Sequence, residues 1–377
     1  MNQLLTSDQL ELLEMVRDFA QNEVAPVATE FDKKGELPMD VYRKAFDMGL
    51  HMADYPEEFG GSGLDTLTYS MIFEELSKAD AGFAVGLSAT SLAYKPVLIA
   101  GTDAQKKFVG DTLSLGAFAA FCLTEAGAGS DVASLKTTAT RDGDDYLING
   151  TKAFITNGGV ADIYIVFAIT DKSNGVRGMS AFLVEADREG VSAGKEEDKI
   201  GIRLSNTSEV IFNDVKIPAK NLIGKEGEGF KIAMRTLDLS RPIVAAAAVG
   251  VCQSAINHAV KYAKERSTFG KEIAKFQAIQ FKLADMEIKT ETARQYARYC
   301  CQLIDANKAI NKEAAIAKCY AGDVAMEVTN EAIQIFGGYG YSREYPVEKL
   351  MRDAKIFQIF EGTNEIQRVV ISGNMLA

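Results

Sequence analysis

Apolar positions change their spacing twice along the 377-residue chain, which divides it into three zones. Residues 1–118 carry helix-type spacing, cut into segments by Pro26, Pro38, Pro56 and Gly60-Gly61. Thr6 and Gln9 have capping-box spacing at the start of the first segment. Residues 119–227 change to strand-like runs: Ile163 to Ile169, Ser180 to Val184 and Glu209 to Ile217, each between turn residues. Asn149-Gly150 separates Tyr146-Leu147-Ile148 from Ala153-Phe154-Ile155-Thr156, and a pair that tolerates positive φ predicts a hairpin turn there. Helical spacing returns over 228–377. Phe276, Ile279, Leu283, Met286, Thr290, Ala293, Ala297, Cys300 and Ile304 step by three and four, which predicts one helix with a single core face, as in an antiparallel bundle. Gly337-Gly338 predicts the end of the next helix, and Pro346 the first turn of the last long one. The chain is therefore expected to be α+β, mainly α, with a small β domain between two helical ones.

Composition narrows the function. Apolar residues make up 47% and charged residues 25%, as in ordinary soluble globular proteins. The net charge of −11 disfavours nonspecific nucleic-acid binding, which needs a basic face, but leaves small anionic ligands open. Cys122, Cys252, Cys300, Cys301 and Cys319 form no Cys-x-x-Cys pair, and the histidines are His51 and His258 alone, so no metal site is expected. Reduced, mostly buried thiols in a cytoplasmic protein are the expectation. Asp8, Glu11 and Glu14 argue against a signal or transit peptide. The longest apolar run, Ile243 to Val251, is too short to span a bilayer, so no membrane insertion is expected.

With so few histidines, a base for difficult proton abstraction is expected to be a carboxylate. Glu361 follows Ile359-Phe360 and precedes Gly362, an apolar setting that favours a strong general base. Other segments offer ligand chemistry. Phe121-Cys122-Leu123-Thr124-Glu125-Ala126-Gly127-Ala128-Gly129-Ser130-Asp131 exposes backbone N–H groups and hydroxyls that suit an anionic or heteroaromatic ligand; a tight turn between zones is its plain alternative. Gly127-Ala128-Gly129 lacks the third glycine and the strand-turn-helix setting of a dinucleotide fold, and Gly224 to Gly229 reads as a connector rather than a phosphate loop. Phe154-Ile155-Thr156 pairs an aromatic with a hydroxyl, which suits a planar ring, although alone it is an ordinary strand end. Arg266 to Lys271 surrounds Gly270 with cations and hydroxyls, fit for a phosphate or for a solvated loop. Gln334-Ile335-Phe336-Gly337-Gly338 is a helix stop that also lets backbone approach a ligand.

In order and spacing, these segments and Ile359 to Arg368 resemble the acyl-CoA dehydrogenase family across essentially the whole chain, as does Tyr345 to Lys355. The resemblance implies an N-terminal helical domain, a middle β-barrel and a C-terminal four-helix bundle, at 1–118, 119–227 and 228–377. It implies non-covalent FAD and the oxidation of an acyl-CoA to the 2-enoyl-CoA, with electron-transfer flavoprotein as partner and a homotetramer as the assembly. Enoyl-CoA reduction in a bifurcating complex with that flavoprotein is the reverse alternative. Carried over by motif, Phe121, Leu123, Thr124, Gly129, Ser130, Phe154, Ile155 and Thr156 would hold the flavin. Arg266, Thr268, Phe269, Gln277, Gln334, Ile335, Gly337 and Gly338 would reach the FAD of a neighbouring subunit, and Thr363 and Glu365 would border the cofactor. Ser130, Asp238, Arg241 and Gly362 would contact substrate, and Glu361 would be the base. Ser240 occupies the position where some relatives place the base, which favours the short- and medium-chain type. Two departures stand out: Phe154 where relatives usually carry tryptophan, and Phe360 where tyrosine is common.

Overall fold

The computed structural model describes residues 5–377. The first zone is helical: α1 (Ser7–Phe19), α2 (Ala25–Lys34), α3 (Met39–Asp47), α4 (Thr66–Ala79), α5 (Ala81–Ala100) and α6 (Asp103–Leu113). The capping box at Thr6 forms: the Gln9 N–H donates to Thr6 Oγ1 at 3.2 Å and the Thr6 N–H to Gln9 Oε1 at 3.1 Å. These bonds satisfy donors that a helix start leaves open.

The second zone holds β1 (Ala119–Cys122), β2 (Thr138–Asp142), β3 (Asp145–Thr156), β4 (Ile163–Ile169), β5 (Met179–Glu185), β6 (Val191–Glu196), β7 (Thr207–Pro218) and β8 (Leu222–Ile223). They form one sheet in the order β6-β7-β3-β2-β4-β5-β8, with β1 parallel to β4. The end strands β6 and β8 do not pair, so the expected barrel is an open sheet.

The hairpin expected at Asn149-Gly150 is absent. β3 runs straight through it, with a bulge against β7 between Ile148 and Gly150. Asn149 and Asp214 lock the bulge: Asn149 Nδ2 donates to Asp214 Oδ1 at 2.9 Å, and the Asp214 N–H to Asn149 Oδ1 at 2.9 Å. The hairpin turn is Gly143-Asp144, between the paired Asp142 and Asp145, with Gly143 at φ 61°. Either pair suits a turn locally; pairing with β7 decides between them.

The third zone holds α7 (Gly229–Glu265), the short ribbon β9 (Ser267–Thr268) and β10 (Lys271–Glu272), then α8 (Gln277–Asp305), α9 (Asn311–Phe336), α10 (Val347–Ala354) and α11 (Asn364–Leu376). α7, α8 and α9 pack on one another and α11 lies on α9. The predicted stripe on α8 faces inward, with Met286, Thr290, Ala293, Ala297 and Cys300 buried. Pro346 opens an eight-residue helix rather than the last long one, because the chain must break again to form the segment around Glu361. α5 and α7 are long and apolar enough to cross a membrane, against the reading of the sequence. Over 70% of each apolar window is buried inside the protein (72% and 78%), which makes them central core helices. All five cysteines are buried and unpaired.

Candidate active site

Glu361 stands where the chain turns between α10 and α11. Its φ is 51° and that of Gly362 is 89°, two successive left-handed residues. For a glutamate this conformation costs about 1–3 kcal/mol, and only surroundings that over-determine it can hold it. A Cβ at Gly362 would sit 2.7 Å from Gln367 Nε2, so glycine is needed there for space as well as for φ. Thr363 then caps α11 by accepting the Ile366 N–H at 3.2 Å.

A buried clamp fixes this turn from below. Lys318 Nζ, on α9, donates to the Gly362 carbonyl at 2.7 Å and to Asn364 Oδ1 at 3.0 Å. Gln367 Nε2 donates to the carbonyls of Glu361 and Gly362 at 3.2 and 2.9 Å. Lys318, Asn364 and Gln367 are 1%, 2% and 0% exposed, so the clamp is shielded from competing water. Sequence reasoning missed these three. The available signal was Lys318 itself, a lone cation among the small apolar residues Ala314-Ala315-Ile316-Ala317 and Cys319.

On the side-chain face, α7 supplies the partners. Ser240 Oγ donates to Glu361 Oε2. Arg241 Nε lies 3.5 Å from the Glu361 carbonyl, and its Nη1 donates to Asp238 Oδ1 at 2.7 Å. Asn311 Nδ2 bonds both oxygens of Asp238 at 3.1 Å. Burial pushes the Glu361 carboxyl above the usual carboxylate range; the Ser240 hydroxyl, Arg241, Lys318 and Lys95 act against that rise. Burial likewise pulls the Lys318 ammonium down to about 8, with Glu361 opposing. Ile359 does not provide the apolar cover expected of it, being 49% exposed; Phe360 packs edge-on against Phe357 at 5.5 Å. Of the two preceding residues only Phe360 packs inward, and the side-chain partners of Glu361 come from α7.

A second cluster joins 121–131 to the end of β3. The Ala153 N–H donates to the Thr124 carbonyl at 2.9 Å. The fully buried Lys152 Nζ donates to the Leu123 carbonyl and to Glu125 Oε1, both at 3.0 Å, while Glu125 accepts the Lys136 and Thr137 N–H groups. This internal ion pair stiffens a loop whose outer face stays open: a Cβ at Gly127 or Gly129 would meet nothing within 4 Å. Phe154 adopts φ 55° and is 63% exposed, an aromatic face offered at the strand end beside the half-open Thr156 and Thr124 hydroxyls. Ser130 is exposed on the same loop. Leu123 and Ile155 turn their side chains into the core, so a ligand can meet only their backbone.

The third cluster lies at the far end of α9. Phe269 and Gly270 both have positive φ in the turn of the β9–β10 ribbon, and Phe269 is 91% exposed. The Arg266 guanidinium lies 5.7 Å from the centre of the Tyr339 ring, which brings the ribbon to Gly337-Gly338. Gly337 has φ 62° and ψ −137°, a glycine conformation, and neither glycine would find a neighbour for a Cβ within 4 Å. Thr268, Gln277 and Gln334 are exposed here, while Ile335 is buried in the bundle core; Glu365 is exposed beside Thr363. Open glycine backbone, exposed aromatic side chains and hydroxyls fit a flat, polar-edged cofactor such as FAD.

Comparison with known proteins agrees with this arrangement. The N-terminal, middle and C-terminal domains of acyl-CoA dehydrogenase match residues 6–114, 120–215 and 227–376. A short-chain-specific acyl-CoA dehydrogenase of Megasphaera elsdenii is 50% identical over 99% of both chains. The solved butyryl-CoA dehydrogenase of M. elsdenii superposes with a TM-score of 0.97, at 49% identity over 100% of both chains. A chain from a structural study of the electron transferring flavoprotein of Acidaminococcus fermentans and flavin-based electron bifurcation gives 0.97 at 48% identity, again over 100% of both. The chain belongs to the acyl-CoA dehydrogenase family.

Proposed function

We propose that this protein is a cytoplasmic, homotetrameric, FAD-dependent dehydrogenase of short- or medium-chain acyl-CoA, with Glu361 as the base and electron-transfer flavoprotein as the redox partner. The observation that carries the reading is Glu361 itself, a desolvated carboxylate held in a left-handed turn by the Lys318–Gln367 clamp. FAD would lie against the 121–130 loop and Phe154 to Thr156, with the 266–269 and 334–338 segments serving a neighbouring subunit. Bound FAD supplies the acceptor for the hydride lost from the β carbon. Glu361 takes the proton from the α carbon, and its raised pKa makes it a stronger base than a solvated carboxylate. Ser240, bonded to one carboxylate oxygen, leaves the other to face the substrate. Among the described residues the Glu361 N–H has no protein partner, so it can donate to the thioester oxygen as negative charge builds there. Asp238, Arg241, Ser130 and Gly362 border the substrate in this reading.

The purified protein should be yellow and should bleach anaerobically on addition of butyryl-CoA. A protein that stays colourless with added FAD, or flavin that no acyl-CoA reduces, would refute the reading. Similarity to the chain from the electron-bifurcation study favours a second reading, in which the same site reduces an enoyl-CoA and Glu361 returns the proton. NADH consumption that requires both crotonyl-CoA and the flavoprotein would establish that direction.

Lys318 offers a separate check. Removing charged hydrogen bonds worth about 1.5–3 kcal/mol should cost Lys318→Met roughly 10- to 100-fold in kcat, with KM and flavin content little changed. In the wild type the rate should fall as pH rises through about 8, where the buried ammonium loses its proton. That alkaline limb should vanish in the methionine variant and persist in Lys318→Arg only at much higher pH. An unchanged alkaline limb in Lys318→Met would exclude Lys318 as its source.

A further inference from the structure

Lys152, on β3, is a fully buried cation that holds the 121–131 loop from inside the protein. Its Nζ donates to the Leu123 carbonyl and to Glu125 Oε1, both at 3.0 Å. The Glu125 carboxylate also accepts the Lys136 N–H at 2.8 Å and the Thr137 N–H at 2.9 Å, so it has anchors besides the lysine. Burying a charge is costly, and replacing a whole buried ion pair by apolar groups is often neutral for stability. Stability alone therefore gives no account of a lysine at this position. The bond to Leu123 does. A trans peptide directs its C=O and its N–H to opposite sides, and no cis peptide occurs among the described residues. With the Leu123 carbonyl drawn inward to Lys152, the N–H of Thr124 points outward. Among the described residues that N–H has no protein partner, and Thr124 is half-exposed.

β3 fixes the next peptide as well. The Ala153 N–H donates to the Thr124 carbonyl at 2.9 Å. The register of β3 on β7 shifts between Lys152 and Ile155, and there Phe154 turns outward with φ 55°. Three successive residues of one strand thus set one outward N–H and one exposed aromatic face. Building on the FAD reading above, we propose that Lys152 is a positioning residue for the flavin: by drawing the Leu123 carbonyl inward it presents the Thr124 N–H to the cofactor, and so sets how tightly flavin binds and how readily it accepts electrons. Glu125 balances the charge of Lys152, so the effect is carried by the peptide and not by the field of the ammonium. A donor bonds an electron-rich ring more strongly than an electron-poor one, so this N–H favours reduced flavin over oxidised.

The test uses the full chain stripped of FAD and titrated with it, followed by redox titration of the reloaded protein. Lys152→Met leaves Glu125 buried without its cation, so the E125Q/K152M double variant, which removes both charges together, is measured alongside it. Both should bind FAD about tenfold or more weakly. Both should also lose about tenfold in the preference for reduced over oxidised flavin, which lowers the midpoint by roughly 30 mV for a two-electron couple. In the wild type FAD should slow hydrogen exchange in a peptide covering 121–131, and that protection should weaken in both variants. Glu125→Gln alone should stay within about threefold of wild type in affinity and in preference, because charged or neutral Lys152 keeps an N–H for the Leu123 carbonyl. A double variant within about threefold of wild type in both would overturn the proposal and leave Lys152–Glu125 a structural ion pair. Weaker FAD binding with an unchanged midpoint would do the same, assigning Lys152 to loop stiffness. Glu125→Gln falling as far as Lys152→Met would show that the ion pair, and not the bond to Leu123, sets the loop. A wild type that takes up no FAD would instead overturn the flavin reading itself.

Discussion

Glu361→Gln is expected to lower the rate of flavin reduction by at least about 10³-fold, near the upper range for a single general base, or roughly 4 kcal/mol of barrier. Glutamine keeps the shape and can still accept from Ser240, but it cannot take a proton. The Lys318–Gln367 clamp binds backbone carbonyls, not the Glu361 side chain, so the turn and the cofactor should be retained. Visible absorbance and acyl-CoA binding should therefore stay near wild type while turnover collapses. In the wild type the reaction rate should rise with pH through a pKa above the ordinary carboxylate value, because only the ionised form is a base. The variant's residual rate should lack that rise. Stability should move the other way. A carboxyl whose folded-state pKa is raised holds its proton in the fold at a pH where the unfolded chain has released it, so native stability falls as pH rises through that window. Glu361→Gln removes this loss and should unfold at slightly higher denaturant than the wild type at neutral pH. A variant that reduces flavin within about tenfold of wild type would place the base elsewhere.

How much of this was legible in the sequence depends on whether the deciding contact was local. The α8 stripe was legible because one helix face repeats regardless of its partner. The capping box at Thr6 was legible because all its partners lie within one turn. Asn149-Gly150 misled because the strand that turns it into a bulge, β7, lies far along the chain, and Asp214 supplies the lock. Glu361 stood out by its setting, yet the sequence misassigned the cause of its desolvation: Ile359 faces outward, while Ser240 and Arg241 come from α7. Lys318 stood out only as a cation in an apolar stretch; its role was not legible, because that role is a hydrogen bond to a carbonyl that any residue could offer. The length of α5 and α7 was hidden by their mixed composition, since even the apolar run Ile243 to Val251 of α7 covers only part of its helix.

Lys349→Met is expected to destabilise the fold by about 3–5 kcal/mol, the usual cost of removing one partner from a buried ionic cluster. Lys349, on α10, bonds Asp80 and, at 2.6 Å, Asp353 Oδ2. Both carboxylate side chains are fully buried. Each also works elsewhere. Asp80 caps α5 by accepting the Phe83 N–H at 2.8 Å, and Asp353 Oδ1 accepts the Ile202 N–H at 2.6 Å. The cluster thus ties the first helical zone, the segment before β7 and the C-terminal helices at one point. Packing there is close: a Cβ on Gly82 would lie 2.8 Å from the Ile202 backbone. The paired carboxylates hold the Lys349 ammonium well above its ordinary range, against the opposing pull of burial, so it stays charged at every pH at which the protein is handled. Without it, two carboxylates face each other in the interior with no cation. They must either take up a proton or draw water in, and both routes loosen the junction. Calorimetry should show a lower midpoint and a transition that splits, as the helical bundle melts apart from the other two zones. D80N/K349M/D353N should recover most of the loss, because asparagine can still accept from Phe83 and Ile202 while no charge is left unpaired. A single variant melting within about 1 °C of wild type would show that the cluster contributes no net stability. A triple variant no better than the single one would assign the loss to the lysine's packing rather than to its charge.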